Sequence, residues 1–137
     1  MAPEPSAIQH VLVVDGDVLV RHVISDYLRS CGYRVVEGAT TDEALVIIEQ
    51  AGISLDAMLC DAEAPGSKTA FEMRAIARVK QPQAKLILAG NVANAAGKAA
   101  ELCEEGPQLK RPYDPQGVVN YIKRILGARE NGRVSEG

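Results

Sequence analysis

The chain has 137 residues, of which 47% are hydrophobic and 24% charged, which predicts one compact domain with a buried core and excludes wholesale disorder. A net charge of −3, with four Tyr, one Phe and no Trp, argues against direct nucleic-acid binding and flavin-type cofactors, which need basic surfaces or stacking platforms. Because no stretch reaches the roughly 18 apolar residues of a membrane span and no signal-peptide pattern opens the chain, we expect a soluble cytoplasmic protein.

The predicted strands are short apolar runs rich in β-branched residues. They occupy residues 11–14, 33–36, 55–60, 85–89 and 108–110. The starts of these runs lie about 22 to 30 residues apart, which leaves room for a helix and two turns between successive strands. This spacing is typical of β–α units that feed a parallel sheet, and it predicts an α/β fold.

The first two predicted helices carry clear start or stop signals. After the first strand, apolar residues recur at three- and four-residue steps over 20–31 and end at Gly32, a residue type that commonly follows a helix. Thr40 and Glu43 form a capping-box pattern at the start of the second helix.

The segments 67–80 and 91–104 give weaker helical signals. The second of them is rich in Ala and has only Leu102 and Cys103 as larger apolar residues. We expect intrinsic helix propensity rather than packing to support it, and we expect this helix to be mobile.

The last predicted helix begins with an N-cap and a first-turn proline at Asp114 and Pro115, and it ends before Gly127. The domain is therefore predicted over residues 9–127. Residues 1–8 and 128–137 are polar or Pro-rich and lack periodicity, so we expect both to be flexible.

The chain has three cysteines, Cys31, Cys60 and Cys103, without Cys-x-x-Cys spacing. Each lies at the edge of an apolar run, where a small buried thiol fits. We therefore expect the cysteines, like the methionines, to belong to the core, and we expect neither a disulfide scaffold nor a zinc site.

Polar and small residues follow the predicted strands at their carboxyl ends, where ligands bind in open parallel sheets. They are Asp15, Gly16 and Asp17 after the first strand, Asp61 and Glu63 after the third, Ala89, Gly90 and Asn91 after the fourth, and Lys110 and Arg111 after the fifth. Converging carboxylates repel one another, so a hard cation such as Mg²⁺ is their natural partner. A nearby Lys or Arg could hold a phosphoryl oxygen.

Three motifs resemble those of the receiver domain of two-component response regulators: VLVVDGD at 11–17, LCDAEAPG at 59–66 and LKRPYD at 109–114. The second has its proline, Pro65, four residues after the aspartate, as in that family. The resemblance covers roughly residues 11–126. It implies a flavodoxin-like (βα)5 fold, a doubly wound five-stranded parallel sheet with strand order 2-1-3-4-5.

The resemblance also implies roles for individual residues. Asp61 falls on the phosphorylated aspartate, Asp15 on the first metal-binding acid, and Glu63 on the position whose backbone carbonyl reaches the Mg²⁺ ion. Arg111 stands in place of the lysine that contacts the phosphoryl group. Arg111 and Pro112 match a Lys-Pro pair whose peptide bond is usually cis in the family, an isomer that X-Pro bonds accept readily.

Several positions depart from the family pattern. Ala89 replaces a Thr or Ser that hydrogen-bonds the phosphoryl group, and a methyl group cannot donate that bond. Gln108 replaces an aromatic residue that moves with that hydroxyl, and Thr69 replaces a small Gly. Arg111 keeps the positive charge but is bulkier than a lysine at a tight phosphoryl site.

Gly16 replaces the second metal-binding acid of the family, so we expect Mg²⁺ to bind weakly. Asp17 could swing in to supply the missing oxygen. It could equally be an ordinary N-cap, because it precedes Val18 and a helical stripe. Both interpretations stay open from the sequence.

Three functions are compatible with these residues. The first is a non-enzymatic single-domain response regulator that receives a phosphoryl group on Asp61 from a histidine kinase or phosphotransfer protein and signals to a downstream protein, with residues 91–126 as a candidate contact face. The second is a degenerate receiver that acts as a phosphorylation-independent docking or dimerisation module. The third is a D-x-D phosphatase-like enzyme with Asp15 as nucleophile and Asp17 as general acid, although its expected Ser or Thr and second acidic pair are absent.

Overall fold

A computed structural model describes residues 9–50 and 53–105, together with the helical positions Gly117, Asn120 and Arg124. Within these residues, strands and helices alternate along the chain. The strands are β1 (His10–Val14), β2 (Arg34–Gly38), β3 (Ala57–Asp61) and β4 (Lys85–Ala89), and the helices are α1 (Val18–Ser30), α2 (Thr41–Glu49), α3 (Ala70–Lys80) and α4 (Val92–Glu105).

The described strands form one parallel sheet in the order β2-β1-β3-β4. This confirms the α/β class and the first four positions of the predicted order 2-1-3-4-5. The predicted fifth strand at 108–110 lies outside the described residues. The predicted last helix does as well, apart from the three helical positions named above.

The sheet separates two apolar clusters because successive side chains of a strand point to opposite faces. Val11 and Val13 of β1 pack with α1 and α4 on one face. Leu12 and Val14 pack with α2 and α3 on the other face. The core therefore consists of two layers, and α4 shares its face of the sheet with α1.

Most predicted strands shift slightly in the structure, whereas β4 has the predicted bounds of 85–89. Tyr33 was placed in the second strand but lies just before β2, which begins at Arg34. Leu55 likewise precedes β3. Its backbone N–H donates to the side-chain oxygen Oε1 of Gln81, 3.0 Å away, so this residue bonds to a side chain instead of to a neighbouring strand.

The reciprocal capping box predicted at the start of α2 is found at the start of α3 instead. Thr40 accepts a hydrogen bond from the N–H of Glu43, but the Glu43 carboxylate accepts from the N–H of Ala39. The reciprocal capping box occurs instead at α3, where Thr69 and Glu72 each accept from the other's backbone N–H. Thr69, noted from the sequence only as a departure from the family, therefore fixes the start of α3.

The expectation that packing contributes little to α4 is wrong. Four of its alanines are buried, Ala95, Ala96, Ala99 and Ala100, as are Leu102 and Cys103. Small side chains let this helix approach α1 closely. With 14 residues it is the longest helix described, and no helix in the described part of the chain is long and apolar enough to cross a membrane.

The expectation of no disulfide is also wrong. Cys31, the C-cap of α1, is bonded to Cys103 in α4, with 5.4 Å between their Cα atoms. The two residues are 72 positions apart, and only the packing of α4 on α1 brings them together. Cys60 is a buried free thiol, as expected. The methionines Met58 and Met73 are also buried, in the cluster beneath α2 and α3.

Candidate functional site

A cavity of about 340 Å³ lies at the carboxyl ends of β1, β3 and β4. Four acidic residues line it: Asp15, Asp17, Asp61 and Glu63. The opposite wall comes from the end of β4 and the first turn of α4, with Ala89, Gly90, Asn91, Val92 and Ala95, and Val20 of α1 completes the lining. The parallel topology thus brings together residues separated by more than half of the chain, such as Asp15 and Ala95.

Asp15 follows β1 directly and is held by hydrogen bonds on three sides. Its N–H donates to the carbonyl of Gly38 (3.1 Å), and its carbonyl accepts from Nη1 of Arg21 (2.9 Å). Its carboxylate oxygen Oδ1 accepts from the N–H of Asp17 (2.8 Å). Arg21 is itself held by an ion pair from its Nε to Glu37 (3.0 Å). The carboxylate of Asp15 is therefore fixed at the cavity edge.

The ionised form of the Asp15 carboxyl is disfavoured in this position. Burial raises the pKa of its carboxyl to about 6, and the negative charges of Asp61 and Asp17 act in the same direction. The hydrogen bond from the N–H of Asp17 and the nearby Arg21 lower the pKa and offset part of this effect. A cation in the cavity would relieve the repulsion and favour the ionised form.

Asp61 is the last residue of β3, beside Ala89 at the end of β4. Its carboxylate oxygen Oδ1 accepts from the N–H of Glu63 (3.0 Å), and its carbonyl accepts from the N–H of Ala64 (3.0 Å). These bonds turn the chain immediately after the strand. The carboxylate consequently lies at the rim of the cavity, with Glu63 exposed beside it.

Asp17 is the N-cap of α1. Its Oδ1 accepts from the N–H groups of Leu19 (3.0 Å) and Val20 (3.2 Å). The structure thus gives Asp17 the capping role that was one of the two interpretations open from the sequence. Its side chain also borders the cavity, but this oxygen is committed to the helix.

The structure leaves no room for a side chain at Gly16. A Cβ atom built at this position would lie 2.9 Å from Cδ and 3.0 Å from Cγ of Pro65. The proline ring has little freedom to move away. Gly16 therefore permits the loops after β1 and β3 to pack together, a contact that the sequence motifs did not reveal.

The loop that carries Pro65 is tied to the start of α2. The carbonyl of Pro65 accepts from the N–H of Thr41 (2.8 Å), and the hydroxyl of Thr41 donates to the carbonyl of Lys68 (2.7 Å). The Asp42 carboxylate accepts from both the N–H and the hydroxyl of Ser67. The Ser67 hydroxyl and N–H lower the pKa of Asp42.

These contacts explain why the loop has little room to shift. At Gly66, φ is 143°, and a Cβ there would collide with the side chain of Thr41. The supporting roles of Thr41 and Asp42 could not be predicted from the sequence, because their hydrogen bonds join the start of α2 to a loop more than 20 residues away. The sequence indicates only that Thr41 and Asp42 directly follow Thr40, where the second helix is predicted to start.

On the β4 side of the cavity, the side chain of Asn91 hydrogen-bonds to the backbone. Ala89 is 2% exposed and offers no hydroxyl, as read from the sequence. Oδ1 of Asn91 accepts from the N–H of Asn94 (2.8 Å), which places Asn91 at the start of α4. Arg111, the candidate phosphoryl contact, and Pro112 lie outside the described residues.

The donor set suits a hard cation that keeps most of its water ligands. Asp15 and Asp61 supply carboxylate oxygens to one cavity, the ligand type that Mg²⁺ prefers. Across residues 9–50 and 53–105, no three His, Cys, Asp or Glu side chains are grouped as a metal centre. The two described carboxylates thus fit a hard divalent cation, and the described side chains do not form a closed cage of three or more such ligands.

No protein-family model matches this sequence, and no curated protein is significantly similar to it. Solved structures do match. A CheY-like response regulator receiver domain from Methanospirillum hungatei JF-1 is 23% identical, with 91% of this chain and 98% of that chain covered and a TM-score of 0.57.

Two further structures show the same fold. A response regulator protein from Burkholderia pseudomallei, determined with a phosphorylated aspartic acid, a calcium ion and citrate, is 17% identical over 88% of this chain and 74% of that chain, with a TM-score of 0.56. The response regulator TrrA from Thermotoga maritima, in complex with Mg²⁺ and BeF, is 26% identical over 59% of this chain and 68% of that chain, with a TM-score of 0.52. The chain thus has the fold of receiver domains, as the sequence motifs implied.

Proposed function

We propose that this chain, which has the receiver-domain fold, is a response regulator that accepts a phosphoryl group on Asp61 from a histidine kinase or phosphotransfer protein. The observation that carries the proposal is the pairing of Asp61 with Asp15 at one cavity, each at the carboxyl end of its strand. Likeness of fold alone would not locate a reactive group, since one fold hosts many functions.

In the proposed reaction, an oxygen of the Asp61 carboxylate attacks the phosphorus atom of the donor in line with the leaving group. The bond from phosphorus to the donor atom breaks as the acyl phosphate forms. Asp15 and Asp61, with the backbone carbonyl of Glu63, would hold Mg²⁺, which neutralises charge on the phosphoryl oxygens. Arg111 is proposed to contact one of those oxygens in place of a lysine.

The N–H of Glu63 orients Asp61 for this role. It donates to Oδ1 of the carboxylate, and within residues 9–50 and 53–105 no backbone N–H donates to Oδ2. Because a hydrogen bond to one oxygen reduces its nucleophilicity, we assign the attack to Oδ2. The hydrogen bond from the N–H of Ala64 to the Asp61 carbonyl fixes the turn that carries this N–H.

A second candidate function is a phosphorylation-independent docking or dimerisation module. Two observations favour it: Ala89 is buried where a hydroxyl would contact the phosphoryl group, and Gly16 faces Pro65 where a second acid would otherwise lie. A D-x-D phosphatase is not favoured, since Oδ1 of Asp17 caps α1 and a general acid needs a mobile proton.

Under either function the output would pass through contacts with another protein. Residues 91–126 are the proposed contact face, and the helical positions Asn120 and Arg124 within it are exposed. We include a homodimer formed through this face in the proposal, and direct binding of nucleic acid is not proposed. Cytoplasmic localisation remains part of the proposal.

A labelling experiment distinguishes the phospho-accepting response regulator from the docking module. Incubation of the full chain with acetyl phosphate and Mg²⁺ should add one phosphoryl group in the intact mass spectrum of a response regulator. Asp61→Asn should remove the adduct, while Asp56→Asn, a matched change at an exposed carboxylate that precedes β3, should keep it. Absence of the adduct at excess donor and metal would favour the docking module. An adduct that persists in Asp61→Asn would overturn the assignment of Asp61.

A further inference from the structure

Helix α4 connects the cavity to the disulfide. At its N-terminal end, Val92 and Ala95 line the cavity that contains Asp61. Close to its C-terminal end, Cys103 is bonded to Cys31 at the end of α1. Because each turn of an α-helix is hydrogen-bonded to the next, a restraint at one end limits movement at the other.

The C-terminal part of α4 is held to a single corner of the molecule, between α1 and β2. Cys31 is fixed there by its N–H, which donates to the carbonyls of Tyr27 and Leu28 (both 3.1 Å). Two residues later, the hydroxyl of Tyr33 donates to the carbonyl of Leu102 (2.5 Å). One covalent bond and one buried hydrogen bond thus attach adjacent residues of α4 to this corner.

The remaining packing of α4 relies on small side chains. The alanines at 95, 96, 99 and 100 are buried, but each contributes a single methyl group. A Cβ at Gly97 would meet no atom within 4 Å, so the helix surface is open at that point. The buried alanines and Leu102 pack α4 on the core, and the disulfide adds a covalent restraint near its C-terminal end.

We propose that Cys31 and Cys103 form a reversible thiol–disulfide exchange site whose oxidised state holds α4 against α1 and fixes the α4 wall of the cavity. Its reaction partner is a dithiol reductant. In a reducing compartment disulfides are typically transient, which fits a bond that responds to redox conditions. The proposal goes beyond the phosphoryl-acceptor function and does not depend on it.

The exchange follows ordinary thiol–disulfide chemistry. A thiolate of the dithiol attacks one sulfur of the pair, forming a mixed disulfide and releasing the other cysteine as a thiolate that takes up a proton. The second thiol of the reductant then attacks the mixed disulfide and releases the remaining cysteine. Two electrons and two protons pass to the protein, and the dithiol becomes a disulfide.

Access to the sulfurs requires local opening. Cys31 is 0% exposed and Cys103 1% exposed, so the last turn of α4, which ends at Glu105, must separate from α1 before attack. Exposed residues such as Glu101 and Glu104 line the outer side of this turn. Reduction should therefore be slow compared with that of an exposed disulfide.

Cys60 provides an internal control. It lies in the cluster on the opposite face of the sheet, beneath α2 and α3. The Cys31–Cys103 pair lies in the cluster on the other face, so the sheet separates the buried Cys60 thiol from both sulfurs. Cys60 should therefore not exchange with the pair.

The test uses the full chain in two redox states, without metal or phosphoryl donor. One sample is treated with glutathione disulfide and the other with dithiothreitol, and thiols are counted by alkylation in denaturant and intact mass. We expect one reactive thiol in the oxidised sample and three in the reduced sample. Hydrogen exchange over α4 should become faster on reduction by a factor at least about tenfold larger than the change over α2 and α3.

Cys103→Ser should reproduce the exchange behaviour of the reduced protein in both samples. Cys60→Ser should show the same change in α4 exchange as the unmodified chain, with one thiol fewer in each sample. Should Cys103→Ser fail to fold, the two redox states of the unmodified chain decide the matter. Three reactive thiols in both samples, or equal protection of α4 in both, would overturn the proposal. A loss of protection as large in α2, α3 and the sheet as in α4 would also overturn it, because reduction would then act on global stability alone and not on a local site.

Discussion

At the scale of single residues, Asp15 shows how the site balances stability against function. Its carboxyl has a pKa of about 6 in the folded protein, compared with an ordinary value of 3.8. A raised pKa means that the folded state binds this proton more tightly than the unfolded state does. The stabilising contribution of the group is therefore complete below about pH 3.8 and is lost as the pH rises through about 6.

Asp15→Asn should accordingly raise the melting temperature at about pH 8 in the presence of a chelator, and the gain should vanish near pH 4. The asparagine oxygen can still accept the N–H of Asp17, so the change removes the charge and keeps the hydrogen bond. Thermal denaturation followed by circular dichroism measures the effect. Asp26→Asn removes the same charge from an exposed carboxylate on α1 and serves as the matched control. A gain of equal size at both pH values would contradict this explanation.

Gly16 is the second residue whose role became clear only in three dimensions. From the sequence, restoring the acid with Gly16→Asp would be expected to strengthen Mg²⁺ binding. A Cβ at this position, however, contacts Pro65 at 2.9 Å, so any side chain must first displace a loop that Thr41 and Asp42 hold in place. Gly16→Asp should thus gain metal affinity only at the expense of stability.

Gly16→Ala isolates the steric part of this effect. We expect it to destabilise the fold by about 1–3 kcal/mol, the usual range for overpacking. Gly97→Ala is the matched control, since a Cβ there meets nothing within 4 Å, and in a helix interior it should stabilise by about 1 kcal/mol. Urea unfolding of the two variants measures both values. A Gly16→Ala variant as stable as the unmodified chain would show that Pro65 does not restrict this position.

At the scale of elements, the disulfide joins α4 to the end of α1, a part of the chain far from it in sequence. A disulfide closing a loop of 72 residues should contribute about 4 kcal/mol, if its effect is mainly on the unfolded chain. We expect dithiothreitol to lower the free energy of unfolding by this amount, measured in urea, and to act equally on Cys60→Ser. An unchanged urea midpoint on reduction would contradict the expected contribution of the disulfide.

The elements also show what the sequence could predict. The bounds of β4 were predicted correctly because a compact apolar run ends at a small residue, Gly90. In α4, by contrast, the alanines gave little indication of packing, because they are buried against α1, which is distant in sequence. The disulfide was missed for the same reason, since no local pattern indicates that positions 31 and 103 meet.

At the scale of the whole molecule, the parallel sheet explains why the candidate site could largely be predicted. Parallel strands place their carboxyl ends along one edge, so residues following β1, β3 and β4 had to converge once the strands were identified. The cavity borders Asp15, Asp17, Asp61 and Glu63, as that argument expected. Sequence could not predict the supporting contacts of Pro65 with Gly16, because they join two loops whose spacing depends on the whole fold.

The central claim is that Asp15 and Asp61 together form a metal-assisted phospho-acceptor site. The most direct measurement is the initial rate of acetyl phosphate labelling as a function of Mg²⁺ concentration, followed by intact mass. For the unmodified chain and for Asp26→Asn the rate should rise and saturate with Mg²⁺, whereas Asp15→Asn should need about tenfold or more Mg²⁺ to reach half of its maximum. Coincident Mg²⁺ curves for Asp15→Asn and the unmodified chain would contradict the claim.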